Sequence, residues 1–108
     1  MAKTMEQMQR EVDAYISQIK IGYFSPLAMM ARFTEEIGEL AREVNHIYGE
    51  KQKKCTEQEK ALEEELGDVL FVLISMANSM QVDLEQAFHL VMDKFQTRDQ
   101  NRFERCDS

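Results

Sequence analysis

Two stretches of this chain repeat one arrangement of acids, apolar residues and glycine, and the repeat constrains the fold more than any other feature. The first is "FTEEIGELAREV", Phe33 to Val44, and the second is "EEELGDVLFVL", Glu63 to Leu73. At about 100° per residue, Met30, Phe33, Ile37, Leu40, Val44 and Ile47 form one apolar stripe of a helix. Leu62, Leu66, Val69, Leu73 and Met80 form another. Glu36 and Glu39 share an edge of the first stripe, and Glu65 and Asp68 border the second in the same way. Counted from Glu36, apolar residues follow at one, four and eight positions; counted from Glu65, the same offsets give Leu66, Val69 and Leu73. If the stripes face each other, all four acids meet in one place.

Four carboxylates crowded at the edge of a core repel one another and lose hydration, at a cost of several kcal/mol for an unpaired buried charge. A divalent cation reverses that balance. Oxygen ligands without His or Cys favour Mg²⁺, or Mn²⁺, over Zn²⁺. A single Glu-x-x-Glu would be read as the solvated flank of an amphipathic helix; the matched pair points to metal. Gly38 and Gly67 each sit directly before the last acid of a pair, where glycine costs about 1 kcal/mol relative to alanine. Both point away from the stripes, which predicts close approach by another helix or a ligand.

The remainder of the chain reads as helix without strand alternation. The first helix spans about Thr4 to Ile19, with Met5, Met8, Val12, Ile16 and Ile19 as its stripe. Ser25 and Pro26 read as an N-cap and first helical residue, and Gly49 as the stop of the helix they begin. Thr56 with Glu59, and Asp83 with Gln86, have the spacing of a capping box or a close variant. The expected fold is therefore all-α: four helices in one domain spanning residues 1–108. The methionines, Met29, Met30, Met76, Met80 and Met92 among them, read as adaptable core filler. The run "VLFVLI" is apolar on every side, which a four-helix protomer cannot cover, and it predicts a homodimer or larger assembly with the third helix central.

The net charge of −7 argues against a nucleic-acid polymer or an anionic membrane as partner, though not against a nucleotide approached through a metal ion. The amino terminus lacks the apolar stretch of a secretory signal, and Val69 to Ile74, the longest apolar run, is too short to span a bilayer. Cys55 and Cys106 lack metal-ligand spacing and are expected to be reduced thiols in a cytoplasmic protein.

On the fourth helix, Leu84, Phe88, Val91 and Phe95 are expected to pack, and the same face continues into Arg98 and Arg102. Lys94, Arg98 and Asn101 group on one side. Such a basic helix end complements the macrodipole. It also offers a phosphate clamp, with Arg as a bidentate fork and Lys as a point charge. Carboxylates for metal and cations for phosphate oxygens together suit phosphoryl chemistry.

These elements, in this order, resemble the MazG-type nucleoside triphosphate pyrophosphohydrolases of the all-α NTP pyrophosphatase superfamily. That family's pattern is Glu-Glu-x-x-Glu, a variable interval, then Glu-x-x-Asp; here it reads Glu35-Glu36-Ile37-Gly38-Glu39 and Glu65-Leu66-Gly67-Asp68. Lys94 and Arg98 in "KFQTR" match its lysine and arginine four apart, and the resemblance spans about Pro26 to Arg105. It implies a four-helix MazG-type bundle assembling into dimers or tetramers. It implies Mg²⁺ held by Glu36, Glu39, Glu65 and Asp68, with Lys94 and Arg98 on the phosphates. It further implies hydrolysis of a (d)NTP between the α and β phosphates to a nucleoside monophosphate and pyrophosphate. Glu35 or Glu43 is then expected to orient or deprotonate the attacking water. The chain has no tryptophan, whereas some family members place aromatic rings against the base; Tyr23 and Phe24 are the residues of the first connection able to stack there.

Three other readings compete. A di-iron carboxylate bundle needs two Glu-x-x-His pairs; Glu43 and His46 make one, but Glu85 and His89 are four apart. A non-enzymatic helical adaptor explains the apolar third helix but not the paired acids and glycines. Phosphoribosyl-ATP pyrophosphohydrolase shares the general chemistry and is separated only by substrate.

Overall fold

The computed structural model describes residues 2–49, 55–98, 101–104 and 106, with side chains omitted for 55–60. Four helices follow in order: α1 (Met5–Ser17), α2 (Pro26–Tyr48), α3 (Cys55–Ser79) and α4 (Leu84–Thr97). Among the described residues there is no strand.

The caps follow from local chemistry. Thr4 accepts from the Gln7 backbone N–H while the Gln7 side chain accepts from the Thr4 N–H, so α1 opens on a reciprocal capping box. Helix α1 ends at Ser17 rather than Ile19. Ser25 accepts from the Ala28 N–H with Pro26 as the first residue of α2, and Gly49 closes that helix. Asp83 accepts from the N–H groups of Glu85 and Gln86 to start α4. Helix α3 spans Cys55–Ser79, with Thr56 inside those bounds; the side chains of Thr56 and Glu59, and residues 51–54, lie outside what is described. Helix α3 stops in a Schellman turn, with the Val82 N–H donating to Ala77 O at 2.8 Å and the Gln81 N–H to Asn78 O at 3.1 Å. Gln81 takes the left-handed position, φ 59°, that glycine more often fills.

Helices α2 and α3 pack together most extensively, α1 lies on α3, and α4 packs chiefly on α1. A carboxamide lock fixes the last two contacts. Gln9 Nε2 donates to Asn78 Oδ1 at 2.9 Å and to Val82 O at 3.0 Å, while Gln9 Oε1 accepts from the Leu84 N–H at 3.0 Å. Asn78 Nδ2 donates to Gln9 O at 2.9 Å and to the Tyr23 hydroxyl at 3.1 Å. Tyr23 in turn donates to Asp13 Oδ1 at 2.7 Å.

The core is narrow. Ile16, Met29, Val72, Ile74 and Ala77 are its buried apolar residues. The stripe of α1 turns inward as its spacing predicts at Met5, Met8, Val12 and Ile16, while Ile19, beyond the helix end, is exposed. The stripes of the other helices do not. On α2 the residues turned inward are Met29, Phe33, Glu36, Leu40, Glu43 and Ile47, leaving Met30, Ile37 and Val44 exposed. On α3, Leu66, Leu73 and Met80 are exposed, and Glu65 is half-buried in their place. On α4, Leu84 is half-buried but Phe88 (62%), Val91 and Phe95 face out. For α2 and α3 the reason is shared: the acids occupy the α2–α3 seam itself rather than its border, and this rotates the apolar residues beside them onto the surface.

The protomer is correspondingly open. Its radius of gyration is 17.4 Å, against about 13 Å for a compact chain of this length. Its accessible surface is 8942 Å², against about 6,200 Å² for a compact monomer of 12.7 kDa. No helix among the described residues is long and apolar enough to cross a membrane.

Candidate active site

The heptad-like spacing of Met29, Phe33, Glu36, Leu40, Glu43 and Ile47 aims two acids of α2 at α3, which returns Glu65 and exposes Asp68 at the rim. One carboxylate oxygen each from Glu36, Glu65 and Asp68 lies within 4.8 Å of the others. Glu36 Oε2 and Glu65 Oε2 are buried and accept no hydrogen bond. Burial, the first cause, pushes the Glu36 carboxyl above its ordinary range; Glu39, Asp68 and Glu35 push the same way, and Arg32 opposes them. Burial likewise raises Glu65, reinforced by Glu39, Asp68, Glu36 and Glu43. The protein thus holds several negative charges where each penalises the next. Glu36, Glu65 and Asp68 could together hold a hard cation through oxygen ligands.

The expected ligands are not all equivalent. Glu36, Glu65 and Asp68 converge; Glu39 stands outside that group, on the exposed side of α2, but acts electrostatically on both Glu36 and Glu65. Glu35 is exposed next to Glu36. Glu43 is 6% exposed and extends the acidic seam toward Glu65. His46 Nδ1 lies 3.7 Å from Glu43 Oε1, beyond hydrogen-bond length. Lys94 and Arg98 sit exposed on and just after α4, and Asn101 in the turn that follows, on an element that packs on α1 rather than on the carboxylate-bearing pair. Gly38 and Gly67 meet no neighbour: a Cβ on either would find nothing within 4 Å, so within the protomer the expected close approach does not occur.

A cavity of about 210 Å³ lies where α1 and the first connection meet α2 and α3, lined by Tyr15, Tyr23, Phe24, Phe71, Ser75 and Arg32 among others. Arg32 is one helical turn before Glu36, and Phe71 about one turn after Asp68. The cavity is mainly aromatic and apolar, with one guanidinium at the acidic end. Tyr23, held by Asp13 and Asn78, is fixed as part of its wall. The sequence reading missed Arg32; its position four residues before Glu36, on the same face, was the available signal.

Comparison with known proteins identifies the family. Residues 24–103 match the family model of the MazG nucleotide pyrophosphohydrolase domain. The Bacillus subtilis (strain 168) protein YpjD is 66% identical over 103 residues, covering 95% of this chain and 93% of that protein. The crystal structure of the Bacillus-conserved MazG protein, a nucleotide pyrophosphohydrolase, superposes with a TM-score of 0.79 at 67% identity, over 90% of this chain and 94% of that one. The crystal structure of YPJD from Bacillus subtilis gives a TM-score of 0.84 at 66% identity, over 90% of this chain and 99% of that one. With a family model matched over most of its length and relatives of 66–67% identity covering 90% or more of it, this chain belongs to the MazG nucleotide pyrophosphohydrolase family of hydrolases.

Proposed function

We propose that the chain is a Mg²⁺-dependent hydrolase of nucleoside or deoxynucleoside triphosphates, cutting between the α and β phosphates to give a nucleoside monophosphate and pyrophosphate. One observation carries the reading: the Glu36, Glu65 and Asp68 oxygens gather within 4.8 Å, two of the three residues having a buried oxygen without a hydrogen-bond donor. That donor set fits a hard divalent cation. Glu36, Glu65 and Asp68 would hold it, with Glu39 as the fourth carboxylate. When bound, the cation supplies positive charge against the charge gathering on the phosphate oxygens.

The chain's own groups do the rest. The aromatic walls of the neighbouring cavity take the nucleoside, with Tyr23 and Phe24 against the base. Arg32, at the acidic end of that cavity, and Lys94, Arg98 and Asn101 bind the triphosphate oxygens. Glu35, on the solvent side of Glu36, accepts a proton from water as the water oxygen bonds to the α-phosphorus. The bond from that phosphorus to the bridging oxygen then breaks, and pyrophosphate leaves with the electron pair. An enzyme of this kind works on the cytoplasmic nucleotide pool as a homodimer or homotetramer, since the open protomer leaves apolar faces to be covered.

The test is a panel of NTPs, dNTPs and phosphoribosyl-ATP incubated with Mg²⁺ in ¹⁸O-water and followed by ³¹P NMR. The expected result is pyrophosphate release from one or more nucleotides, with the heavy oxygen in the monophosphate. Label in the pyrophosphate, or no turnover across the panel, would overturn the proposal.

A further inference from the structure

The cavity wall is mostly apolar; besides Arg32, its polar side chains are Tyr15, Tyr23 and Ser75. The Tyr23 hydroxyl is already committed, donating to Asp13 Oδ1 at 2.7 Å and accepting from Asn78 Nδ2 at 3.1 Å. Tyr15 sets its ring edge-on to Phe71 and is 56% exposed, so water competes for its hydroxyl. Ser75 differs from both: it is only 6% exposed, and its neighbours in the wall include Ile16, Met29, Phe71 and Val72.

The Ser75 hydroxyl also has a fixed direction. Its Oγ donates to Phe71 O, one turn back along α3, at 2.9 Å. A hydroxyl has one hydrogen and two lone pairs, so that bond uses the donor and leaves acceptor capacity alone. Turning the hydrogen toward a ligand would forfeit the bond to Phe71 O. Phe71 O stands beside Ser75 Oγ as a second oxygen, and the pair repels a ligand oxygen while favouring a ligand N–H.

The register along the helices places that spot. Ser75 follows Asp68 by seven residues, two turns on one face of α3, or about 10 Å along its axis. Arg32 is one turn from Glu36 on α2, nearer the acids. The separation of Ser75 from the acids is about the length of a nucleoside monophosphate. With the α-phosphate at the carboxylates and the base between the aromatic walls, the far edge of the base comes to Ser75.

We propose that Ser75 is the specificity-determining residue of the cavity, accepting a hydrogen bond from the exocyclic amino group of the base, so that the preferred substrates carry a 6-aminopurine or a 4-aminopyrimidine. This rests on the hydrolase reading above and deepens it by naming the substrate class. A base with a carbonyl at that position sets oxygen against Ser75 Oγ, and a base with only hydrogen there leaves the oxygen unpartnered.

The test compares ligands that differ at that one position. ATP is set against purine riboside triphosphate, which lacks only the amino group, and CTP against UTP, each with Mg²⁺. One neutral hydrogen bond in a closed pocket corresponds to about a tenfold preference for ATP and CTP. The preference should lie in KM with kcat little changed, because the base edge is two helical turns from the reacting phosphorus. Ser75→Ala should bring both ratios to about one. Equal KM values within each pair in the wild-type enzyme, or a preference that Ser75→Ala leaves intact, would overturn the assignment. A second arm needs no turnover and so separates this proposal from the hydrolase reading. By calorimetry, AMP should bind wild type about tenfold more tightly than purine riboside monophosphate does, and Ser75→Ala should bind the two alike. That result without any hydrolysis would support Ser75 while removing the hydrolase reading; equal binding of the two by wild type, or no binding of AMP, would overturn the role of Ser75 whatever the turnover.

Discussion

Replacing Asn78 with alanine should destabilise this protein well beyond the loss of a single hydrogen bond. Three hydrogen bonds disappear together: from Gln9 Nε2 at 2.9 Å, to Gln9 O at 2.9 Å and to the Tyr23 hydroxyl at 3.1 Å. At about 1 kcal/mol each, the loss is about 3 kcal/mol. For a chain of this size that lowers Tm by roughly 10 °C or more. Gln9→Ala should cost about as much, since its side chain also binds Val82 O and the Leu84 N–H at 3.0 Å. The two losses share the Gln9 Nε2 to Asn78 Oδ1 bond, so the double variant should fall short of their sum by about 1 kcal/mol. The assay is urea denaturation followed by far-UV circular dichroism, at one fixed protomer concentration because assembly adds to apparent stability. A loss below about 1 kcal/mol for Asn78→Ala, or strict additivity, would refute the lock as the fastener of α1 onto α3. The consequence extends to the site, because α1 supplies Tyr15 and Ile16 to the cavity wall.

Other perturbations follow from the same geometry. Because Glu36 and Glu65 have folded-state pKa values raised above the ordinary 4.5, the folded protein binds more protons than the unfolded chain just above that range. Their contribution therefore favours the metal-free fold at acid pH and is lost as pH rises through the raised values. Thermal melts of metal-free protein should show this loss, and Glu36→Gln with Glu65→Gln should flatten it; a slope unchanged by both substitutions would contradict the crowding of the acids. Adding Mg²⁺ at about a hundred times its dissociation constant should restore about 2.7 kcal/mol at neutral pH, and removing it with a chelator should reverse the gain; equal melting temperatures with and without the ion would count against the site. Gly38→Ala should stabilise by about 0.5–1 kcal/mol, since the added Cβ meets nothing within 4 Å; a drop in Tm would place a second copy against that glycine.

The fold was readable where local chemistry decides it. Ser25–Pro26 and Asp83 announce helix starts through side chains that reach their own backbone, and the structure uses both; Thr4 caps α1 in the same manner, where the sequence marked the start by periodicity alone. The face of each helix was harder to read. Periodicity assumes that apolar residues turn inward, and in α2 it was Glu36 and Glu43 that did so, with Ile37 and Val44 left outside. A function that needs inward carboxylates breaks the pattern on which the inference rests, and it does so at the functional site itself. The spacing of three kept Glu65 and Asp68 together beside Glu36, but the same spacing did not bring Glu39 into the group. The cavity was not legible, since it arises from three helices and a connection meeting in space, whereas Arg32 had a signal in its spacing of four from Glu36. The placement of α4 was equally hidden: a stripe such as Phe88, Val91 and Phe95 says that something covers it, not which chain does.

The account depends most on inward acids that take up a cation, and a crystal grown in Mn²⁺ measures that directly. An anomalous difference peak should lie about 2.2 Å from carboxylate oxygens of Glu36, Glu65 and Asp68, the range of a hard-cation bond to oxygen. Clear density for those three side chains turned to solvent, with no anomalous peak between α2 and α3 at saturating Mn²⁺, would contradict it.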